Sequence, residues 1–165
     1  IVRRYDNNEF FSADSIHFAD SLKFTTPKGK VVYGGGGIMP DIFVPLDTLN
    51  ITKYYSEING RNILYRYTID YADLHRKELD KVRNLKEMKA MLDSDKDLLK
   101  DFVRYAEKQG VKANWKEIET SRKIIETQLR AYISRNSDLE EKAFYYFIYP
   151  IDRTVLRAIE ELQSK

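Results

Sequence analysis

The spacing of hydrophobic positions changes character near residue 50. Before it, residues 21–26 and 30–33 alternate with the two-residue period of strands, and Thr26-Pro27-Lys28-Gly29 between them has turn chemistry. Residues 42–44 read as a third short strand, bracketed by Pro40 and Pro45. Proline cannot donate to a sheet ladder, so this strand belongs at an edge or a terminus.

After Thr48 the period is that of helices. A short helix is predicted over 52–58, stopping at Asn59-Gly60, and a longer one over 62–82 with Ile63, Tyr67, Tyr71 and Leu74 on one face. Leu85, Met88 and Leu92 mark a short amphipathic piece. Asp93 or Ser94 can cap the next helix, whose stripe of Leu98, Leu99, Phe102, Val103 and Ala106 runs to a left-handed cap at Gly110. Asn114 caps a helix to about Asn136, with Trp115, Ile118, Ile125, Leu129 and Tyr132 as its apolar face and Ser121 and Arg122 interrupting it. Residues 138–149 and 151–163 follow, parted at Pro150, which disfavours helical geometry in the residue before it. The reading is mainly α: a bundle of about five helices after a short β segment, with a boundary between 1–48 and 49–165.

Composition sharpens this picture. Five of the seven glycines and three of the four prolines precede residue 50. The net charge of +2 comes from interspersed side chains, 28 basic and 26 acidic, so electrostatics nominate neither nucleic acid nor a membrane surface. No apolar run is long enough to span a bilayer. The absence of cysteine excludes disulfides, a thiol nucleophile and cysteine zinc sites, and His17 and His75 are too far apart for metal-ligand spacing. No cofactor or metal is expected. The chain starts at Ile1 without a signal-peptide pattern, and is expected to be a piece of something larger.

Candidate chemistry is sparse. The run Gly34-Gly35-Gly36-Gly37 is followed by Ile38, Met39 and Pro40 rather than by a helix, which removes the dipole a phosphate loop needs. Glycine there suits a tight bend past another element. Ser21 and Lys23 share a strand face, and Ser12, Asp14, Ser15 and His17 cluster nearby, but a catalyst needs a positioned base that adjacency alone does not supply. His75 and the charges over 77–108 read as solvated helix faces. In AFYYFIY, 143–149, aromatic and aliphatic side chains surround the helix, which makes it core or interface; Ala143, Phe144, Tyr145 and Tyr149 are the candidate self-association residues.

Residues 15–48, SIHFADSLKFTTPKGKVVYGGGGIMPDIFVPLDT, resemble the end of the catalytic core in C-terminal processing peptidases, the tail-specific proteases. The match is to the form with an extended Gly-Gly-Gly-Gly-Ile-x-Pro-Asp segment associated with Bacteroidetes-type bacteria. The residues that carry it are Thr25, Thr26, Pro27, Gly29 and Lys30, then Gly37, Ile38, Pro40, Asp41 and the hydrophobic stretch 42–44. The helical remainder resembles the C-terminal extension of the same proteins loosely. The resemblance implies a serine endopeptidase of the bacterial periplasm or cell envelope that cleaves proteins near their C-terminal ends with a Ser-Lys dyad and no cofactor, often with a PDZ domain. The family's nucleophile and its Phe-Gly-Lys-Gly lysine lie upstream of this motif and have no counterpart here. No catalytic residue is assigned, and the fragment alone is expected to be inactive, its helical part packing, self-associating or guiding substrate. The competing expectation is a non-enzymatic helical interaction module.

Overall fold

The structure, a computed structural model, describes residues 2–17, 20–34 and 41–164. The chain divides into two compact units, Ile1–Asp47 and Thr48–Lys165.

In the first unit, α1 (Val2–Asp6) leads into 3-10 turns at Ala13–Ser15 and Asp20–Leu22. The strands β1 (Lys23–Thr25) and β2 (Val31–Tyr33) then pair antiparallel, with Lys23 opposite Tyr33, Phe24 opposite Val32 and Thr25 opposite Val31. The turn between them closes as its residues suggest. Gly29 N donates to Thr26 O (2.9 Å), and Thr26 Oγ1 accepts from Lys30 N (3.1 Å). Gly34 extends the hairpin by donating to Leu22 O, and a Cβ there would stand 3.1 Å from the Phe24 ring, so a side chain at this position would have to displace that ring. The other glycines of the run, with Ile38, Met39 and Pro40, lie outside the described residues. The expected strand over 42–44 is not one. Among the described residues they have no ladder partner, and Leu46 N instead donates to Phe10 O (2.8 Å).

The second unit is helical: α2 (Lys53–Gly60), α3 (Ile63–Leu74), α4 (Arg76–Leu79), α5 (Leu85–Ser94), α6 (Leu98–Lys108), α7 (Trp115–Arg135), α8 (Glu140–Ile148) and α9 (Arg153–Gln163). The long α7 packs against α2, α3 and α8. Its Ile118, Ile125, Leu129 and Ile133 are fully buried, with Ile58, Leu64, Met88, Leu92 and Phe102 in the same core. The stripe of α6 is buried as its spacing predicts, from Leu98 to Ala106. It ends in a Schellman pattern: Val111 N donates to Ala106 O, Gly110 N donates to Glu107 O, and Gly110 holds φ +83.

Four local readings are corrected. The helix expected over 62–82 breaks at His75, which stacks on Tyr71 (centroids 4.3 Å apart) while Arg76 Nη1 donates to Asn136 O (2.7 Å). His75 is thereby half-buried rather than fully solvated. The cap of α6 is Asp97 rather than Asp93 or Ser94, and Trp115 at the start of α7 is 47% exposed, outside the core face.

Ser121 has its reason in the start of α2. The first turn of a helix has amides without intrahelical acceptors. Thr52 Oγ1 accepts from Tyr55 N (3.3 Å), and Glu117 Oε2, reaching from α7, accepts from Tyr54 N (2.6 Å). The fully buried Ser121 hydroxyl donates to Asn50 O (2.5 Å) and lies 2.8 Å from Thr52 Oγ1. Asn114 in turn caps α7 and donates to Glu117 Oε1 (2.8 Å), which fixes the carboxylate.

Removing this acceptor leaves a buried amide unpaired. Glu117→Ala should therefore lower the unfolding free energy in urea by about 1–2 kcal/mol; an unchanged midpoint would mean the amide finds another acceptor. Tyr54 itself is 3% exposed, and among the described residues its hydroxyl has no hydrogen-bond partner. Burial, with Glu107 and Glu57 adding to it, pushes its pKa from 10.0 up to about 12. The neutral phenol is favoured in the fold, so its contribution is intact below pH 10 and lost as pH rises from 10 to 12. Tyr54→Phe should leave thermal stability at pH 7 unchanged or raised, and should flatten the alkaline decline. A clear loss at pH 7 would show that the hydroxyl is partnered.

Candidate functional site

The hairpin exposes apolar side chains on both faces. Directly paired residues share a face, so Phe24 (59% exposed) and Val32 (39%) lie on one side, and Val31 (42%) lies with Thr25 on the other. Among the described residues of this unit none is buried. The hairpin also carries the two halves of the motif noted above, because Lys30 of the turn forms an ion pair with Asp41. Thr25, Thr26, Pro27 and Gly29 are thus held around one turn, while Gly37, Ile38 and Pro40 fall outside the described residues.

An open cleft of about 620 Å³ in the same unit is lined by Arg3, Asn7, Glu9, Asp14, Ser15 and His17. It gathers part of the serine and histidine cluster but not a catalytic arrangement. His17 Nδ1 donates to the backbone carbonyl of Ser15 (3.0 Å). Among the described residues no hydrogen bond joins that ring to a serine hydroxyl or a carboxylate. Glu9 accepts from Arg4 Nε (2.8 Å) and from Asn7, and the Arg4 bond holds its carboxyl below the ordinary value. The cleft is solvent-facing and carries both charge signs. Ser21 and Lys23 are exposed, without the desolvation that a lysine base requires. Among the described residues no group of three or more His, Asp or Glu could hold a metal ion, and no helix is long and apolar enough to cross a membrane.

The aromatic run of α8 divides between core and surface. Ala143 is fully buried, which corrects its place among the self-association residues: no partner can reach it. Phe144 is half-buried, with Arg135 over its ring and Tyr132 beside it. Tyr145 and Tyr149 are 42% and 45% exposed and stack on one another, centroids 5.0 Å apart. Beyond the turn Tyr149–Ile151, α9 has no buried residue, and Leu156, Ile159 and Leu162 are exposed. The sequence places 151–163 in the bundle, and the structure leaves one apolar side of α9 exposed.

A family model described as a family of unknown function (DUF8443) matches residues 54–137, about half of the chain, from α2 through α7. No curated protein and no solved structure matches. The hairpin, α8 and α9 lie outside the matched segment.

The two kinds of α8 position should respond differently to charge. Ala143→Asp buries a carboxylate beside α7 and should unfold the helical unit or cost more than about 3 kcal/mol. Tyr145→Asp should leave the circular-dichroism melt within about 1 kcal/mol of the parent. Equal losses from both would contradict the division of this helix into inner and outer faces.

Proposed function

The chain belongs to that family of unknown function, and from the motif residues of the first unit, which lie outside the matched segment, we propose that it is the C-terminal portion of a serine endopeptidase of the C-terminal processing type. The first unit completes a catalytic core whose Ser-Lys dyad lies upstream. The helical unit is an accessory domain that packs on that core, self-associates or guides substrate, with Tyr145 and Tyr149 as the available part of its aromatic run. The protein works in the bacterial periplasm or cell envelope.

The observation that carries the reading is the hairpin. An isolated two-stranded hairpin is marginal in water, and apolar residues on both faces suit a strand pair inside a covered sheet. Phe24 and Val32 on one face and Val31 on the other therefore call for further strands and helices. The turn joining them has the Thr-Thr-Pro-x-Gly-Lys residues of that peptidase core, with Lys30 tied to the Asp41 of the second motif half. A non-enzymatic helical interaction module is the second reading, and the exposed faces of α8 and α9 favour it.

The coding sequence ahead of Ile1 decides between them. The peptidase reading requires a serine in a small-residue turn and a Gly-Lys-Gly segment there; their absence would leave the interaction module. For the 165-residue chain itself, no hydrolysis of an unstructured peptide is expected. Turnover abolished by a serine-directed reagent would overturn the placement of the dyad upstream.

A further inference from the structure

The geometry points to Asn59-Gly60, at the end of α2, as a site of covalent modification: deamidation through a succinimide, with Arg61 as its gate. The Gly60 backbone nitrogen attacks the Asn59 side-chain carbonyl carbon and gives up its proton. The bond from that carbon to Nδ2 breaks, and ammonia leaves with the proton. Water then opens the ring at either carbonyl. One opening gives aspartate; the other gives isoaspartate, in which the main chain runs through the side chain and is one methylene longer. Water is the sole co-reactant.

Asn59 is the only asparagine of the chain that precedes glycine. At every other asparagine the next residue has a Cβ, which crowds the attacking nitrogen. Within α2 the Gly60 N–H belongs to the intrahelical ladder, so the reaction proceeds from molecules whose last helical turn is open. Side-chain packing does little to oppose that opening. Gly60 is exposed, and among the described residues nothing lies within 4 Å of where its Cβ would stand. Glycine is also a poor helix former, and Asn59 Nδ2 donates to Tyr55 O at 3.3 Å, a long bond.

What ties the turn down is Arg61. Its guanidinium donates to Gln109 O, at the C-terminal end of α6 (2.5 Å), and to Glu57 (3.2 Å). Release of these bonds frees the turn that holds the Gly60 nitrogen. The reaction in turn undoes the connection to α3. Asn62, left-handed at φ 56, donates from its N to Asn59 O (2.8 Å), and the added methylene of isoaspartate displaces that carbonyl. Either product also places a carboxylate in the last turn of α2, at the negative end of the helix dipole. The modification uses nothing of the peptidase reading, so its failure leaves that reading to its own test.

The full chain is incubated in buffer and in urea, and the proteolytic peptide containing residue 59 is followed by mass spectrometry for replacement of –NH2 by –OH. Chromatography separates the aspartyl and isoaspartyl forms. Residue 59 should react before any other asparagine, yield both forms, and react more slowly in buffer than in urea. Arg61→Ala should speed the reaction in buffer by roughly fivefold, with an unchanged circular-dichroism spectrum, and leave the rate in urea as it was. Gly60→Ala, which the open space accepts, should suppress it in both conditions. The isoaspartyl fraction should melt below the parent. Another asparagine reacting first would overturn the proposal, as would a residue 59 that reacts in urea and not in buffer. So would a rate in buffer indifferent to Arg61→Ala, or an isoaspartyl chain that melts with the parent.

Discussion

The first-turn amides of α2 have no intrahelical acceptor, and α7 reaches across to supply one beside the cap that Thr52 provides. Glu117 and Ser121 project from α7 onto this point, Glu117 taking Tyr54 N and Ser121 closing on Asn50 O and Thr52. A hydrogen bond specifies position where apolar contact does not. With α2 fixed against one end of α7, Ile58 and Tyr54 are set into the core, and α3 follows after the left-handed Asn62 (φ 56). The far end of α7 is fixed in the same manner, since Arg76 donates to Asn136 O. Between these two polar anchors the apolar face of α7 can bury Ile118, Ile125, Leu129 and Ile133 in one register.

Those anchors also separate what could be read locally from what could not. Asn114 as a cap, Gly110 as a left-handed stop and the stripe of α6 need only neighbouring residues, and all three are present. Ser121 stood out as an interruption of an apolar face, but its partner Asn50 is remote in sequence, so the interruption had no visible cause. The break at His75 was hidden because the 3.6-residue period continues past Tyr71 to Leu74, although Leu74 is 80% exposed. What ends α3 is the stacking of His75 and the reach of Arg76 to the end of α7, and neither leaves a local pattern. The failed strand over 42–44 has a related cause, since β-propensity describes a segment and a strand exists only with a partner.

The candidate surfaces were legible to different degrees. The apolar stripe of α9 and the aromatic circumference of α8 follow directly from spacing, yet spacing cannot say which side the bundle covers. Packing on α7 takes Ala143 inward and leaves Tyr145 and Tyr149 outside. The motif residues around the hairpin were legible as types. Their coupling through Lys30 and Asp41 was not, because it crosses the loop between them.

The two exposed apolar surfaces ask for different partners, and the backbone decides which. Among the described residues the sheet has two strands, so each has one edge without a neighbouring strand, and apolar cover alone leaves that edge without a ladder. What completes it must bring a strand, as a larger sheet does. In α9 the backbone bonds are internal, and the Asp152 carboxylate caps the first turn by accepting from Thr154 N and Val155 N. Its exposed side carries Leu156, Ile159 and Leu162, so what covers it has to match apolar shape rather than supply a strand. A sheet edge would bring polar groups that α9 cannot satisfy.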